Sequence, residues 1–404
     1  MSKVLFLSVP AHGNVNPTLG LVAELIARGE EVVYFSSDEF KERIEATGAT
    51  FKRYSEDLDI FKAGNGGKNG GTIQRPMHRI IGNAETIIED ILFQIKDRSF
   101  DYIIHSMAFP FAGIIKQILQ LPSVSSLAVF SGLKNFMTKH DTARLKEIPG
   151  MEAMMKTYDE VSQKIIGNYN VEMPESPIGL LFNKGNLNLI YTSEYFIDPV
   201  DRVLFDDTYK FVGPPVYDRK EQIDFPFEKL EQKKVIYISL GTVFGNERPD
   251  IYNIFFESFA DTNAAVVMAA YNVDLSTLTI PDHFIVRNYV PQSEILKHTN
   301  VAITHAGMNS ISDLISNHVP FVALPLGADQ PALAARSQAL GAAITLDVNT
   351  LTADELRTAT EKVLNDPSYL SNIRKIAESF NEAGGYKKAV TYIFDMMKQH
   401  SSDE

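Results

Sequence analysis

The chain has 404 residues, more than one ordinary domain buries, so two or three units with separate cores are expected. A formal charge of −13 leaves no basic field for nucleic acid or an anionic membrane, and 45% hydrophobic with 22% charged residues is a globular composition. The absence of cysteine excludes disulfides, thiolate nucleophiles and cysteine-ligated zinc and fits a reducing cytoplasm.

In chain order, Lys3 to Val9 reads as a short buried strand rather than a signal peptide, and no run approaches the ~18 apolar residues of a membrane span. Pro17 to Arg28 carries helical spacing (Leu19, Leu21, Val22, Leu25, Ile26) and stops at Gly29. Glu31 to Ser36 is strand-like, and Asp38 to Thr47 is helical up to Gly48. This βαβα opening predicts a parallel sheet with helices on its faces. No G-x-G-x-x-G follows the first strand, since the turn reads Pro10-Ala11-His12-Gly13, which argues against a nicotinamide-dependent dehydrogenase.

Strands follow at Tyr102 to Ile104, Ser123 to Val129 and Leu187 to Thr192, with helices at Phe111 to Gln120 and over 150–175. The glycine-rich patch 64–71 reads as a surface loop or as a flexible rim over a binding cleft. Polar, proline-punctuated residues 213–233 read as a linker between domains spanning 1–212 and 234–385. The second domain restarts the rhythm: strands at Val235 to Ser239, Ala264 to Ala269, Phe284 to Asn288, Val301 to Thr304 and Phe321 to Leu324, helices at Asp250 to Phe259 and Ser310 to Asn317. From about Asp366 to Lys398 the chain is helical, broken by Gly384-Gly385, and residues 386–404 are expected to return to the N-terminal domain as a closing helix.

One segment concentrates polar groups on a strand–helix–strand frame. Tyr289-Val290-Pro291-Gln292 precedes the strand Val301 to Thr304, which runs into His305-Ala306-Gly307-Met308-Asn309-Ser310. Asn309 and Ser310 are expected to cap the next helix, whose free amides, with the His305 imidazole, make a cradle for a diphosphate. Asp313 is one turn further on the same helix face, where a carboxylate accepts ribose hydroxyls. Asp329-Gln330 follows the strand at Phe321 to Leu324, at the open sheet end where ligands sit, and suits sugar hydroxyls. Singly, each has a plain structural explanation as a turn or cap residue; in this order they form a pattern.

The segment resembles the nucleotide-sugar signature of family-1 UDP-sugar glycosyltransferases, the bacterial macrolide and flavonoid type with the GT-B fold. The likeness covers nearly the whole chain, including Pro10 to Leu19 and Ser239-Leu240-Gly241-Thr242. It implies two Rossmann-like domains facing a central cleft and an inverting transfer of a hexose, glucose first, from a UDP-sugar to a hydroxyl of a small apolar acceptor. It further implies Tyr289 against uracil, with the Val290 backbone and Gln292 beside the base. His305, Gly307, Asn309 and Ser310 would hold the diphosphate with Gly241 and Thr242, and Asp329 and Gln330 the sugar. Asp313 stands where relatives carry a ribose-binding glutamate and is one methylene shorter. No metal, cofactor or nucleic acid is implied, and the expected state is a cytoplasmic monomer or weak dimer.

The resemblance breaks at the N-terminal site. Relatives place a general-base histidine at the position of Asn14 and an orienting aspartate at that of Ser106. An amide is no base near neutral pH. Three readings stay open: His12 supplies the base from two residues upstream, the acceptor needs no strong base, or the protein binds nucleotide-sugar and transfers little. An epimerase or hydrolase on the same fold is a further alternative. His105 is expected to be a buried structural histidine on the opposite strand face. Met107, Phe109, Phe111, Phe130 and Phe136 (with Met137 beside it) are candidates for an apolar acceptor pocket or for plain core.

Overall fold

A computed structural model describes residues 1–59, 74–128, 130–139, 151–216, 224–241, 249–276 and 279–403. The glycine-rich patch 64–71, Thr242 and the middle of the expected linker lie outside the described residues. The chain divides into two compact units, one of residues 1–191, 199–215 and 383–404, the other of residues 192–198 and 216–382.

The first unit holds seven parallel strands: β1 (Lys3–Leu7), β2 (Glu31–Ser36), β3 (Thr50–Arg53), β4 (Tyr102–Ser106), β5 (Ser123–Leu127), β6 (Leu187–Ile190) and β7 (Tyr209–Phe211). Their order is β3-β2-β1-β4-β5-β6-β7, so the winding reverses between β1 and β4. Both faces of the central strands are covered, which is why they read as continuous apolar runs. Leu5, Leu7, Val33, Phe35 and Ile103 pack against Ile80, Ile88, Ile91 and Ile165 from helices at Gln74–Gly82, Ala84–Ile95 and Met151–Tyr169.

The first helix differs from the sequence expectation. It spans His12–Ala27, opening five residues before Pro17, which lies inside it. Extended Ala11 is its N-cap, and its carbonyl accepts from Asn14 and Val15 at 2.9 Å. Early in a helix, a proline forgoes only one backbone bond, and the buried neighbours Val15, Leu19, Leu21 and Val22 outweigh it. The last helix, Gly385–Asp403, packs on this one: Tyr386 Oη donates to the Pro17 carbonyl at 2.8 Å, and its ring fills the space a Cβ on Gly20 would need. Gly384 and Gly385 both have positive φ (88° and 61°) and separate it from the preceding helix, Pro367–Glu382, which belongs to the second unit.

The second unit holds β8 (Val235–Ser239), β9 (Ala265–Ala269), β10 (Phe284–Arg287), β11 (Val301–Thr304), β12 (Phe321–Ala323) and β13 (Ala343–Thr345), all parallel, in the order β10-β9-β8-β11-β12-β13. Winding reverses between β8 and β11. Ile236, Ile238, Val266, Met268, Val301 and Ile303 pack against Ile251, Phe255, Leu356 and Val363 of the helices on one face. Residues 192–198 join this unit rather than the first, correcting a sequence boundary at 212. Arg336 explains the shift: its guanidinium donates to the carbonyls of Tyr195 (2.7 Å) and Phe196 (3.0 Å), and the Phe196 ring packs edge-on to Phe380. Among the described residues no helix is long and apolar enough to cross a membrane.

Candidate functional site

In an open parallel sheet, the crevice outside the strand C-termini where the order reverses is left uncovered by crossover helices. Each unit has one such point, and the residues singled out in the sequence collect at both.

In the second unit, β8 ends at Ser239 and turns through Gly241 with φ 75°, while β11 ends at Thr304 and turns through His305 and Ala306, the latter with φ 63°. Gly307, extended at φ −68° and ψ 149°, is the N-cap of the helix Met308–Ser316 and offers no side chain to the free amides. Asn309 and Ser310 therefore lie inside the first turn, half-buried, instead of capping it as expected. The bare N-terminus keeps its donors for a ligand.

Two glycines clamp the imidazole. A Cβ on Gly241 would stand 2.7 Å from Cε1 and Nε2 of His305, and one on Gly307 would overlap Nε2. Burial, partly offset by the Ser239 backbone, pushes His305 down to about 4, so the ring is neutral at physiological pH. A neutral imidazole meets an anion as a hydrogen-bonding group rather than as a resident charge. Gly307→Ala follows as a test: its backbone suits alanine, so the unit should fold, but the methyl displaces His305. We expect UDP affinity to fall at least about 10-fold by calorimetry with unchanged thermal unfolding; unchanged affinity would remove His305 from the cradle.

Tyr289 is 40% exposed after β10, and the Val290 side chain is buried. Gln292 opens a short helix and lies between two partners: its Oε1 accepts from Tyr237 Oη at 2.9 Å, and its Nε2 donates to Asp313 Oδ2 at 2.7 Å. Asp329 is the N-cap of the helix Gln330–Ala339 without a side-chain cap bond, and burial pushes its carboxyl up to about 6. Gln330, 5% exposed, turns its carbonyl inward to the amides of Leu326 (2.8 Å) and Gly327 (3.1 Å), fixing the loop that presents Asp329.

At the first unit's reversal point, the Asn14 side chain is nearly buried in the helix's first turn. Ser106 closes β4, is 1% exposed and shares a hydrogen bond with Ser8 Oγ at 3.2 Å, so the expected dyad is an uncharged amide and a hydroxyl. His12, the first residue of that helix, has its Nε2 2.8 Å from Glu39 Oε1, and its ring meets buried Phe40 edge-on at 5.0 Å. Glu39 had no signal in the sequence, because β2 brings it alongside from 27 positions away. His105 is fully buried, bonds the Ser106 carbonyl at 3.1 Å and is pushed down to about 4 by burial.

The aromatic candidates separate. Phe109 and Phe111 are fully buried in the hydrophobic core, Phe109 stacked on Tyr54 at 5.5 Å, and Phe130 is 2% exposed. These three are core, the plainer of the two readings the sequence left open. Met107 and Phe136 are half-buried, Phe136 tilted against Phe182 at 5.8 Å.

Residues 224–384 match the family described as "UDP-glucoronosyl and UDP-glucosyl transferase". Over 407 residues the chain is 34% identical to YdhE, an uncharacterized UDP-glucosyltransferase of Bacillus subtilis (strain 168), covering 99% of both chains. It is 25% identical to the oleandomycin glycosyltransferase of Streptomyces antibioticus, covering 97% of this chain and 90% of that one. The crystal structure of the glycotransferase of kitacinnamycin superposes with a TM-score of 0.83 at 24% identity over 98% of each chain, a likeness of fold.

Proposed function

The chain belongs to the UDP-glucosyltransferase family, and on that footing we propose that it moves a hexose, glucose first, from a UDP-sugar to a hydroxyl of a small, mostly apolar natural product. The observation that carries the donor half is the clamp of Gly241 and Gly307 on a neutral His305 at an uncapped helix N-terminus. Free amides beside an imidazole suit a diphosphate, and they suit it more as charge gathers on the departing UDP. Asp329, presented by the loop that Gln330 holds, is the acceptor for the sugar's hydroxyl protons. A macrolide-like, phenolic or flavonoid acceptor is the substrate class we favour, in keeping with the oleandomycin glycosyltransferase among its relatives.

In the reaction, the acceptor oxygen bonds to the anomeric carbon from the face opposite UDP, the bond from that carbon to the diphosphate oxygen breaks, and UDP leaves with the electron pair. The acceptor's proton goes to His12. Of the groups at the first reversal point, Asn14 and Ser106 cannot take a proton near neutrality, whereas an imidazole can. The Glu39 carboxylate 2.8 Å from Nε2 supports that role, since it favours the tautomer with its hydrogen there and the imidazolium that forms.

The test is turnover of UDP-glucose against a panel of phenols, flavonoids and macrolides, with UDP release that depends on the acceptor as the expected result. Failure to bind UDP by calorimetry overturns the proposal. A second reading has its own observation, the uncharged Asn14 and Ser106: a protein that binds UDP-sugar and transfers little. Tight UDP-glucose binding with no transfer across the panel would favour it.

A further inference from the structure

β8 alternates, with Ile236 and Ile238 in the core under one sheet face and Tyr237 directed to the other, where it is 4% exposed. There its hydroxyl starts a chain of bonds, Tyr237 Oη to Gln292 Oε1 at 2.9 Å and Gln292 Nε2 to Asp313 Oδ2 at 2.7 Å. The direction of this chain is set at one end. An ionised carboxylate only accepts, so Gln292 must face Asp313 with its NH2 and Tyr237 with its carbonyl, and the phenol must donate. The three residues come from three separate elements, and this relay joins them.

We propose that Tyr237 is a positioning residue for nucleotide recognition: through Gln292 it fixes the orientation of Asp313, and thereby makes the site select a ribonucleotide over its 2′-deoxy counterpart. The inference rests on the donor-site reading above. An aspartate reaches less far than a glutamate and swings freely about two torsions; held by the Gln292 amide, it presents one fixed direction to the ribose. The same amide cannot be reversed to suit another ligand while the phenol donates to it. Removing the phenol oxygen leaves Gln292 Oε1 without that donor and loosens the amide that sets the direction of the Asp313 carboxylate.

Calorimetric titration with UDP and with 2′-deoxyuridine 5′-diphosphate tests it on the full chain. The native protein is expected to favour UDP about 10-fold or more. Tyr237→Phe should compress that ratio to within about 3-fold, mainly by weakening UDP, and leave the deoxynucleotide nearly unaffected. Asp313→Asn should do the same, and the double variant should be no worse than Asp313→Asn alone, because both act on one contact. A preference for UDP that survives Tyr237→Phe, or losses that add in the double variant, would overturn the relay. So would a native protein that binds the two nucleotides equally. Should Tyr237→Phe fold poorly, Gln292→Leu breaks the same relay from the middle and must compress the ratio equally. Absence of any UDP binding by the native protein would instead sink the donor-site reading, and the two failures are distinguishable.

Discussion

His12→Ala should lower the turnover number for transfer by about 10²- to 10⁴-fold, the ordinary worth of a positioned general base, with little change in the KM for UDP-glucose. Asn14→Ala, two residues along the same helix turn, should change turnover by less than about 10-fold. The contrast follows from chemistry and geometry together. Asn14 is an amide packed into the helix start, Ser106 is held by Ser8, and His12 is half-buried on Phe40 with a carboxylate at 2.8 Å. Glu39→Gln should fall between the two, by about 10-fold, because an amide still accepts the Nε2 hydrogen but no longer favours the imidazolium. Glu39 is 60% exposed at its side chain, so its loss should leave thermal stability unchanged within about 1 kcal/mol. The decisive reciprocal is Asn14→His. If that variant raises transfer steeply while His12→Ala is harmless, the native site lacks a base and His12 has no catalytic part.

Replacing Asp329 by asparagine should stabilise the protein and disable it at once. The carboxyl is pushed from 3.8 up to about 6 by burial, so the folded state holds this proton more firmly than the unfolded chain does. Below pH 4 both states are protonated and the group is neutral in its effect. Between pH 4 and 6 the unfolded chain ionises first and stability falls; above pH 6 the folded state carries the full cost, about 1–3 kcal/mol. Asparagine has no charge to bury, so Asp329→Asn should unfold at a higher temperature at pH 7.5 and equal the native protein near pH 4. Function moves the other way. A carboxylate accepting sugar hydroxyls contributes about 1.5–3 kcal/mol, so kcat/KM for UDP-glucose should drop by about 10- to 100-fold while UDP alone binds unchanged. The native kcat/KM should also decline as the pH falls through 6, a limb missing from the variant. Loss of UDP affinity together with sugar affinity would place Asp329 outside the sugar contact, and no gain in stability would refute the buried charge.

Strand rhythm was legible wherever a strand is buried on both faces. Glu31–Ser36 and Val301–Thr304 agree with the sequence reading to the residue. The strands it passed over, Thr50–Arg53, Tyr209–Phe211 and Ala343–Thr345, are all sheet edges. An edge strand is short, half-covered and free to carry Lys52, Arg53 or Lys210, so it lacks the apolar run that marks its neighbours. The early start of the first helix was hidden by Pro17, which looks like a first-turn proline but lies six residues in.

By itself, the sequence determined the alternation of two parallel α/β units, the order of polar groups after β11 and β12, and the presence of an amide at position 14 and a hydroxyl at 106. These are local facts: burial writes apolar runs, turns select glycine, and an amide at one position is visible as a letter. Only the tertiary structure decided that Gly241 and Gly307 press on one ring, that Glu39 stands by His12, that Tyr237 fixes Gln292 on Asp313, and that Phe109, Phe111 and Phe130 are core. Each of these joins residues from different strands across a reversal of sheet order or a packed face. Such neighbours are set by how buried surfaces close in space, and nothing in the local pattern of a chain records that distance.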